Sequence, residues 1–340
     1  MIIIQTPFRM SFFGGGTDLN KYFEEYGGSV LSTTIDKYCY ITVRNLPPFF
    51  EYRSQLTYSK IERFNNADEV QHPAVRECLK DMGMTDIHIV YDADLPARSG
   101  LGSSSSFAVG LYHALHTLRG EYVSKMELAR KAIRLEQVLL KETVGVQDQL
   151  AAAFGGLNRM SFSADGYDVK PVIMSRERKI NFNNHLMLFF TGFVRHASQI
   201  EEAKVKGMKS KLNELHEIKG LVEEGEKILT RGRDLNDFGR LLDHTWRLKK
   251  SLSSGVSTTD IDILYDKAIS AGALGGKLLG AGGGGFIVFF AQPEKHEAIR
   301  AALSNLLHVS FRFEDGGSRV LYFDDIRTYE PIMSSMEMIS

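Results

Sequence analysis

The chain has 340 residues, with 41 Lys and Arg against 42 Asp and Glu and a formal net charge of −1. So even a balance leaves no electrostatic footprint for nucleic acid or an anionic membrane surface, and a bound polyanion must be held locally by a shaped site. Hydrophobic residues make up 43% and charged residues 24%, enough apolar chain for a sizeable core.

The N-terminus, MIIIQTPFRMSFFGGG, has no basic stretch ahead of a long apolar run, so no signal peptide is expected there. No apolar run approaches a membrane span, and the cytoplasm is the expected compartment. Strands are predicted at Ile2–Thr6, Arg9–Phe13 and the β-branched run Val30–Val43, separated by turn chemistry at Gly14-Gly15-Gly16 and Gly27-Gly28. Cys39 and Cys78 form no CxxC and have no histidines near them, so both are expected as packing thiols. Ile87–Tyr91 is another strand, followed by a Gly/Ser-rich loop and the helical spacing of Phe107, Leu111, Leu115 and Leu118. A helix over Met126–Leu140 has Ser124 as N-cap with Glu127 three residues on, and a third helix starts near Asp148.

Beyond about Asn158 the texture changes. Leu186–Phe190 is a strongly apolar strand, and amphipathic helices are predicted over Gln199–Thr230 and Leu235–Leu252. A very glycine-rich segment then leads to a strand at Phe286–Phe290, a helix at Glu294–Leu307 and closing strands at Ser310–Phe313 and Arg319–Phe323. Strands followed by helices, without strict alternation, predict an α+β fold of two lobes, divided between Phe154 and Asp168 and set here as residues 1–160 and 161–340.

The most informative stretch is PARSGLGSSSS, residues 96–106, lying between a predicted strand and helix. Glycines let backbone approach a ligand, and a helix N-terminus offers unpaired N–H groups and partial positive charge suited to phosphate. Pro96, Ser99, Gly100, Leu101, Gly102, Ser103, Ser104, Ser105 and Ser106 are therefore the candidate phosphate-binding residues. There is no Walker lysine, which excludes a P-loop, and no dinucleotide fingerprint opens the chain.

This segment resembles the nucleotide-binding motif of the GHMP kinases, the family of galactokinase, homoserine kinase and mevalonate kinase. PFRMSFFGGGTD at residues 7–18 resembles the first family motif, and KLLGAGGGGF at 277–286 resembles the third. The resemblance spans nearly the whole chain. It implies an N-terminal nucleotide-binding lobe, a C-terminal lobe, an active site in the cleft between them, and ATP with Mg2+. The longer segment from Pro7 to Val43 is similar to bacterial D-glycero-D-manno-heptose 7-phosphate kinases, which act on the C1 hydroxyl and feed nucleotide-activated heptose for surface polysaccharide.

Carried onto this chain, the resemblance implies that Asp148 contacts the reacting hydroxyl, as general base or as an orienting group; an N-cap role would also suit its place before a helix. Arg9 would stabilise charge on the moving phosphoryl group or lower the acceptor's pKa, against the alternative of a surface strand charge. Glu136, twelve residues before Asp148, and Ser104 would supply oxygens to Mg2+; Ser103 and Ser105 compete with Ser104, and Glu136 could instead sit on a solvated helix face. Gly15, Gly16, Thr17 and Asp18 are substrate candidates, with the departure that galactokinases carry Glu-His where this chain has Gly15-Gly16, which argues against galactose. Gly282 and Gly283 would line the site, approaching substrate or the phosphate loop by backbone, unless the loop is only a tight turn. A phosphorylated acceptor needs a second anion site, with Arg195 and His196, Lys249 and Lys250, or Lys277 as candidates. The expected partner is a small sugar phosphate; monomer and homodimer stay open. The alternatives are a kinase for a free, fucose-like sugar or small alcohol, and an inactive member that only binds a small molecule.

Overall fold

The computed structural model describes residues 1–97, 99–192, 207–253 and 255–324. Arg195 and His196 lie outside the described residues, as does the first part of the helix expected from Gln199.

β-branched and aromatic residues dominate the first segments and set a sheet. Strand β1 is Ile2–Phe13, α1 is Asn20–Tyr26 and β2 is Gly28–Asn45. The two strands expected on either side of Pro7 are one strand: the pairing of β1 with β2 slips between Pro7 and Phe8, so the proline sits at a local irregularity where a missing N–H is tolerated. Strands β3 (Ser54–Thr57) and β4 (Ile61–Phe64), helix α2 (Pro73–Met82) and strand β5 (Ile87–Ala93) follow. Helices α3 (Ser103–Leu118), α4 (Lys125–Arg134) and α5 (Gln147–Phe154) come next, and α4 opens with the expected capping box between Ser124 and Glu127, a device worth about 1 kcal/mol. Strands β6 (Asn158–Ser163) and β7 (Gly166–Pro171) lead to α6 (Arg176–Asn184) and β8 (Leu186–Phe190).

The second half continues with helices α7 (Leu212–Thr230), α8 (Asn236–Leu252) and α9 (Thr259–Ser270). Strands β9 (Gly275–Leu278) and β10 (Phe286–Phe290) follow, then helix α10 (His296–Ala302). Strands β11 (Leu307–Val309), β12 (Phe313–Glu314) and β13 (Arg319–Phe323) close the described chain. The helix expected from Glu294 to Leu307 is shorter than its apolar spacing implied: Leu307 opens an edge strand paired with Phe190.

Among the described residues two sheets form. The first has nine strands, in the order β13-β1-β2-β5-β3-β4, with β6 and β12 pairing β2 and β7 pairing β6. It thus takes strands from both ends of the sequence, since β13 returns to pair with the start of β1. The second sheet runs β11-β8-β10-β9. Cys39 and Cys78 are free and buried, and burial pushes both thiols well above the ordinary range, as suits packing groups.

Aromatic packing joins the end of β1 to helices α6 and α8. The Phe238 ring on α8 lies 5.3 Å from Phe12, 4.9 Å from Phe13 and 4.7 Å from Phe182, all three pairs edge to face. Contacts of this kind contribute about 0.5–1.5 kcal/mol each beyond their burial. They anchor the end of β1, the strand that carries the first group of site residues.

Candidate active site

The phosphate loop forms where the sequence places it. Gly102, left-handed at φ 75°, precedes α3, and no side chain caps that helix. The first N–H groups of a helix so left are an anion-binding end. Gly100, Gly102, Ser103, Ser104 and Ser105 line a cavity together with Arg9, Gly15, Gly16, Asp18, Asp148, Gly280, Ala281, Gly282 and Gly284. Other members of the loop serve it from behind. Pro96 is exposed at its start, while Leu101 is buried and accepts the Arg9 backbone N–H at 3.0 Å. Ser106 donates its hydroxyl to the Pro7 carbonyl at 2.9 Å, and the Ser99 carbonyl accepts from Phe286 N–H at 3.1 Å.

The third glycine motif packs on this loop by bare backbone. A Cβ on Gly100 would sit 2.5 Å from the Leu279 carbonyl oxygen, and one on Gly285 2.2 Å from the Ser99 carbonyl oxygen. Both glycines also have positive φ, so no side chain fits either the space or the backbone. Gly282 lines the cavity, whereas Gly283 turns away and donates its N–H to the Val256 carbonyl at 3.1 Å.

Arg9 and Asp148 meet as a forked pair, Nε to Oδ1 and Nη2 to Oδ2, both at 2.7 Å. Neither takes the structural alternative the sequence left open. Arg9 is 5% exposed and so is no surface charge, and Val146 rather than Asp148 occupies the N-cap of α5. Asp148 keeps 23% of its side chain exposed on the cavity. A carboxylate oxygen in such a fork has a second lone pair left for a hydroxyl donor.

Asp18 is held from two sides, by Gly16 N–H at 2.9 Å and Gln147 Nε2 at 2.8 Å. A Cβ on Gly145 would lie 1.9 Å from its Oδ2. Gly145→Ala is therefore expected to displace the Asp18 carboxylate and lower kcat/KM for the acceptor by about 100-fold, the effect of misplacing a positioning group by an ångström. Steady-state kinetics with acceptor and ATP varied separately would check this, the ATP KM staying near the wild-type value. Thr17, by contrast, is fully buried outside the cavity. Its hydroxyl donates to the Gly14 and Ser29 carbonyls and accepts from Ser29 N–H, so it builds the loop.

Glu136 does not lie on a solvated face. After α4 the chain makes one π turn at Leu135–Leu139, with Leu140 N–H bonded to the Leu135 carbonyl at 2.9 Å, and Glu136 turns inward to 2% exposure. Such wide turns are often found at functional sites. Its Oε2 accepts from Ser105 Oγ at 2.8 Å and from Gln149 Nε2, and Ser104 also hydrogen-bonds the carboxyl. Oε1 is buried with no hydrogen-bond partner. Burial pushes the carboxyl up to about 7, against the lowering effect of these hydrogen bonds. A buried, orphaned carboxylate oxygen behind two cavity serines fits a cation. No group of three or more His, Cys, Asp or Glu among the described residues could hold a metal by itself. Magnesium takes one or two protein oxygens and completes its shell with water and phosphate, a demand that Glu136 and a neighbouring serine would meet.

The cavity also contains residues that motif reading did not single out: Ser11, Val144, Gly145, Gln147 and Gln149. Ser11 was accessible to strand logic, since it lies two residues from Arg9 on the same face of β1. Of the lysines, Lys249 and Lys277 both line the cavity. Lys250 does not. It pairs with Asp262 at 3.0 Å and lies over the Trp246 ring.

Comparison with known proteins agrees with this geometry. The GHMP kinases N terminal domain matches residues 69–156 and the GHMP kinases C terminal domain matches 219–309. D-glycero-alpha-D-manno-heptose 7-phosphate kinase from Campylobacter jejuni is 32% identical, covering 87% of this chain and 91% of that protein. L-fucokinase/L-fucose-1-P guanylyltransferase from Bacteroides fragilis is 27% identical over 88% of this chain, which spans only 36% of that longer protein. Among solved structures, a D-glycero-D-manno-heptose 1-phosphate kinase from Bacteroides thetaiotaomicron superposes with a TM-score of 0.78 at 26% identity, covering 95% of this chain and all of that one. Similarity that runs nearly end to end in sequence and in fold places the chain in the GHMP kinase family, as a sugar kinase: a phosphotransferase with an alcohol group as acceptor.

Proposed function

We propose that the chain transfers the γ-phosphoryl group of ATP to the anomeric C1 hydroxyl of D-glycero-D-manno-heptose 7-phosphate, giving heptose 1,7-bisphosphate for nucleotide-activated heptose and surface polysaccharide. The observation that carries the reading is the Arg9–Asp148 fork set between the phosphate loop and the Gly14–Asp18 loop. The heptose-kinase relatives support the acceptor. Their names place the phosphate at different carbons and agree on a heptose that carries one. The reaction would take place in the cytoplasm. Among the described residues no helix is long and apolar enough to cross a membrane.

In this reading the polyphosphate lies over the N-terminus of α3 and the glycines of the loop. Asp18 holds a sugar hydroxyl, and Asp148 accepts the hydrogen bond of the C1 hydroxyl and aligns it. The C1 oxygen attacks the γ-phosphorus, the bond to the β-phosphate oxygen breaks, ADP leaves, and the hydroxyl proton passes toward Asp148 and then water. Arg9 faces the charge that develops on the transferring group, the position where a fixed donor is most effective. Glu136 with Ser104 or Ser105 would hold magnesium, which when bound supplies charge neutralisation on the phosphates.

ADP release with ATP and Mg2+ across heptose 7-phosphate, free heptose, mannose, fucose, galactose and mevalonate tests the proposal. Turnover with heptose 7-phosphate well above the others is the expected result; turnover with only an unphosphorylated compound would discard the heptose-phosphate acceptor.

A further inference from the structure

Two of the three polar residues that open α5 hold carboxyl groups from elsewhere in the chain. Gln147 donates to Asp18 at 2.8 Å, and Gln149 donates to Glu136. Between them stands Asp148, forked with Arg9. A carboxylate only accepts hydrogen bonds, so the Gln149 amide turns its nitrogen to Glu136 Oε2 and is left with its oxygen. Ser105 Oγ meets the same carboxylate oxygen at 2.8 Å.

The oxygen left over on Gln149, Oε1, is buried with no hydrogen-bond partner, and so is Oε1 of Glu136. Gln149 is 0% exposed, yet it lines the cavity with Ser104 and Ser105, in front of Glu136. Burying an acceptor without a donor is costly. Another acceptor cannot relieve it; only an O–H or N–H donor or a cation can. Carboxylate, amide carbonyl and hydroxyl oxygens are the set that a hard divalent cation takes. All three kinds are gathered here, at the N-terminus of α3 where the phosphates lie in the reading above.

We infer that Gln149 belongs to the magnesium site. Its amide nitrogen fixes Glu136, and its amide oxygen joins the oxygens of Glu136 and the loop serines as a ligand to the metal, directly or through one of the metal's waters. The inference rests on the reading that Glu136 and a serine hold magnesium, and adds to it an oxygen from α5. The residue beside the reacting carboxylate of Asp148 would thus tie the metal to the acceptor chemistry through one helix turn.

The test uses Mg2+ and ADP as ligands, with calorimetry and thermal unfolding as readouts, on the wild-type protein, Gln149→Met, Gln149→Glu and Glu136→Gln. Methionine keeps the length of the side chain and replaces the amide by a thioether, a poor partner for magnesium. In Gln149→Met the gain in ADP affinity that Mg2+ confers is expected to fall by about 10- to 100-fold, with ADP affinity in the absence of metal little changed. Gln149→Glu sets a second carboxyl against Glu136. It should unfold at a lower temperature without metal, since like charges oppose each other, and Mg2+ with ADP should raise its unfolding temperature by more than that of the wild type, since a cation meets both carboxylates. This second variant carries the test should Gln149→Met fail to fold. A folded Gln149→Met with the wild-type magnesium effect refutes the inference, a buried water or a proton then satisfying the two oxygens. A Gln149→Glu protein whose response to Mg2+ is no larger than that of the wild type leaves Gln149 as a support for Glu136 alone, and overturns the place of its oxygen in the site. Glu136→Gln separates the two readings. An unchanged magnesium effect there overturns the metal site itself; a weakened one, beside an unchanged Gln149→Met, overturns only the part assigned to Gln149.

Discussion

Asp148→Asn is expected to lower kcat by about 100- to 10,000-fold, the span typical of losing a positioned acid–base or orienting group, while ATP binding stays close to normal. Asparagine keeps the shape and one oxygen acceptor for the Arg9 guanidinium, so the fork loosens without leaving a void. Alanine is harsher. Arg9 is 5% exposed, and removing the Asp148 carboxylate paired with it strands a charge. For a fully buried pair that costs about 3–5 kcal/mol, and less here because Asp148 is 23% exposed and water reaches it. The two substitutions therefore separate chemistry from folding. Both should lose turnover, and Asp148→Ala should also unfold at a lower temperature. Nucleotide binding followed by calorimetry, alongside single-turnover kinetics, checks the division; near-normal kcat in Asp148→Asn would remove Asp148 from the mechanism.

Glu136→Gln is expected to weaken magnesium activation by about 100-fold or more, above the 10- to 100-fold that supporting residues around a metal usually contribute. Its effect on the metal-free fold has the opposite sign. The Glu136 carboxyl is pushed up to about 7 by burial, from an ordinary value of 4.5. A group raised in this way favours the fold fully below its unfolded value and loses that contribution as pH rises through its folded value. The metal-free protein should therefore become less stable between about pH 5 and 8 through this residue, and glutamine, which stays neutral, should abolish that part of the slope. Magnesium with nucleotide needs the carboxylate, so binding should release a proton near neutral pH and tighten as pH rises. Thermal unfolding across that range, with and without magnesium and nucleotide, reads both effects. A Glu136→Gln protein with the wild-type pH slope and wild-type magnesium requirement would contradict the assignment.

Much of this was legible in the sequence, for identifiable reasons. Leu186–Phe190 and Phe286–Phe290 appear with the expected bounds because each is an unbroken apolar run closed by turn residues. Pro7 misled the reading of β1, because a proline in a strand signals a break and a register slip looks the same in one dimension. The helix drawn to Leu307 was too long because Leu303, Leu306 and Leu307 keep helical spacing while Leu307 pairs with the edge of the second sheet. Short segments such as β3 and β4 carry too few residues for periodicity to register.

The site divides in the same way. Glycine loops show in sequence because their chemistry is local: a turn, a positive φ, a helix start. Arg9, Glu136 and Asp148 were reached through motif resemblance. Gln147 and Gln149 were not, since an amide beside a key aspartate announces nothing until the fold shows that one holds Asp18 and the other Glu136. Lys249 lies on an amphipathic helix whose next residue, Lys250, pairs with Asp262. Only tertiary packing separates the lysine that enters the cleft from the one that does not.

The most direct test of the account is 31P NMR of the product formed from ATP, Mg2+ and heptose 7-phosphate. The account predicts that the original C7 phosphate signal persists and that a second phosphomonoester signal appears, coupled to the anomeric proton, in step with ADP. No new phosphate on the sugar, or a new signal coupled to protons of another carbon, would contradict it.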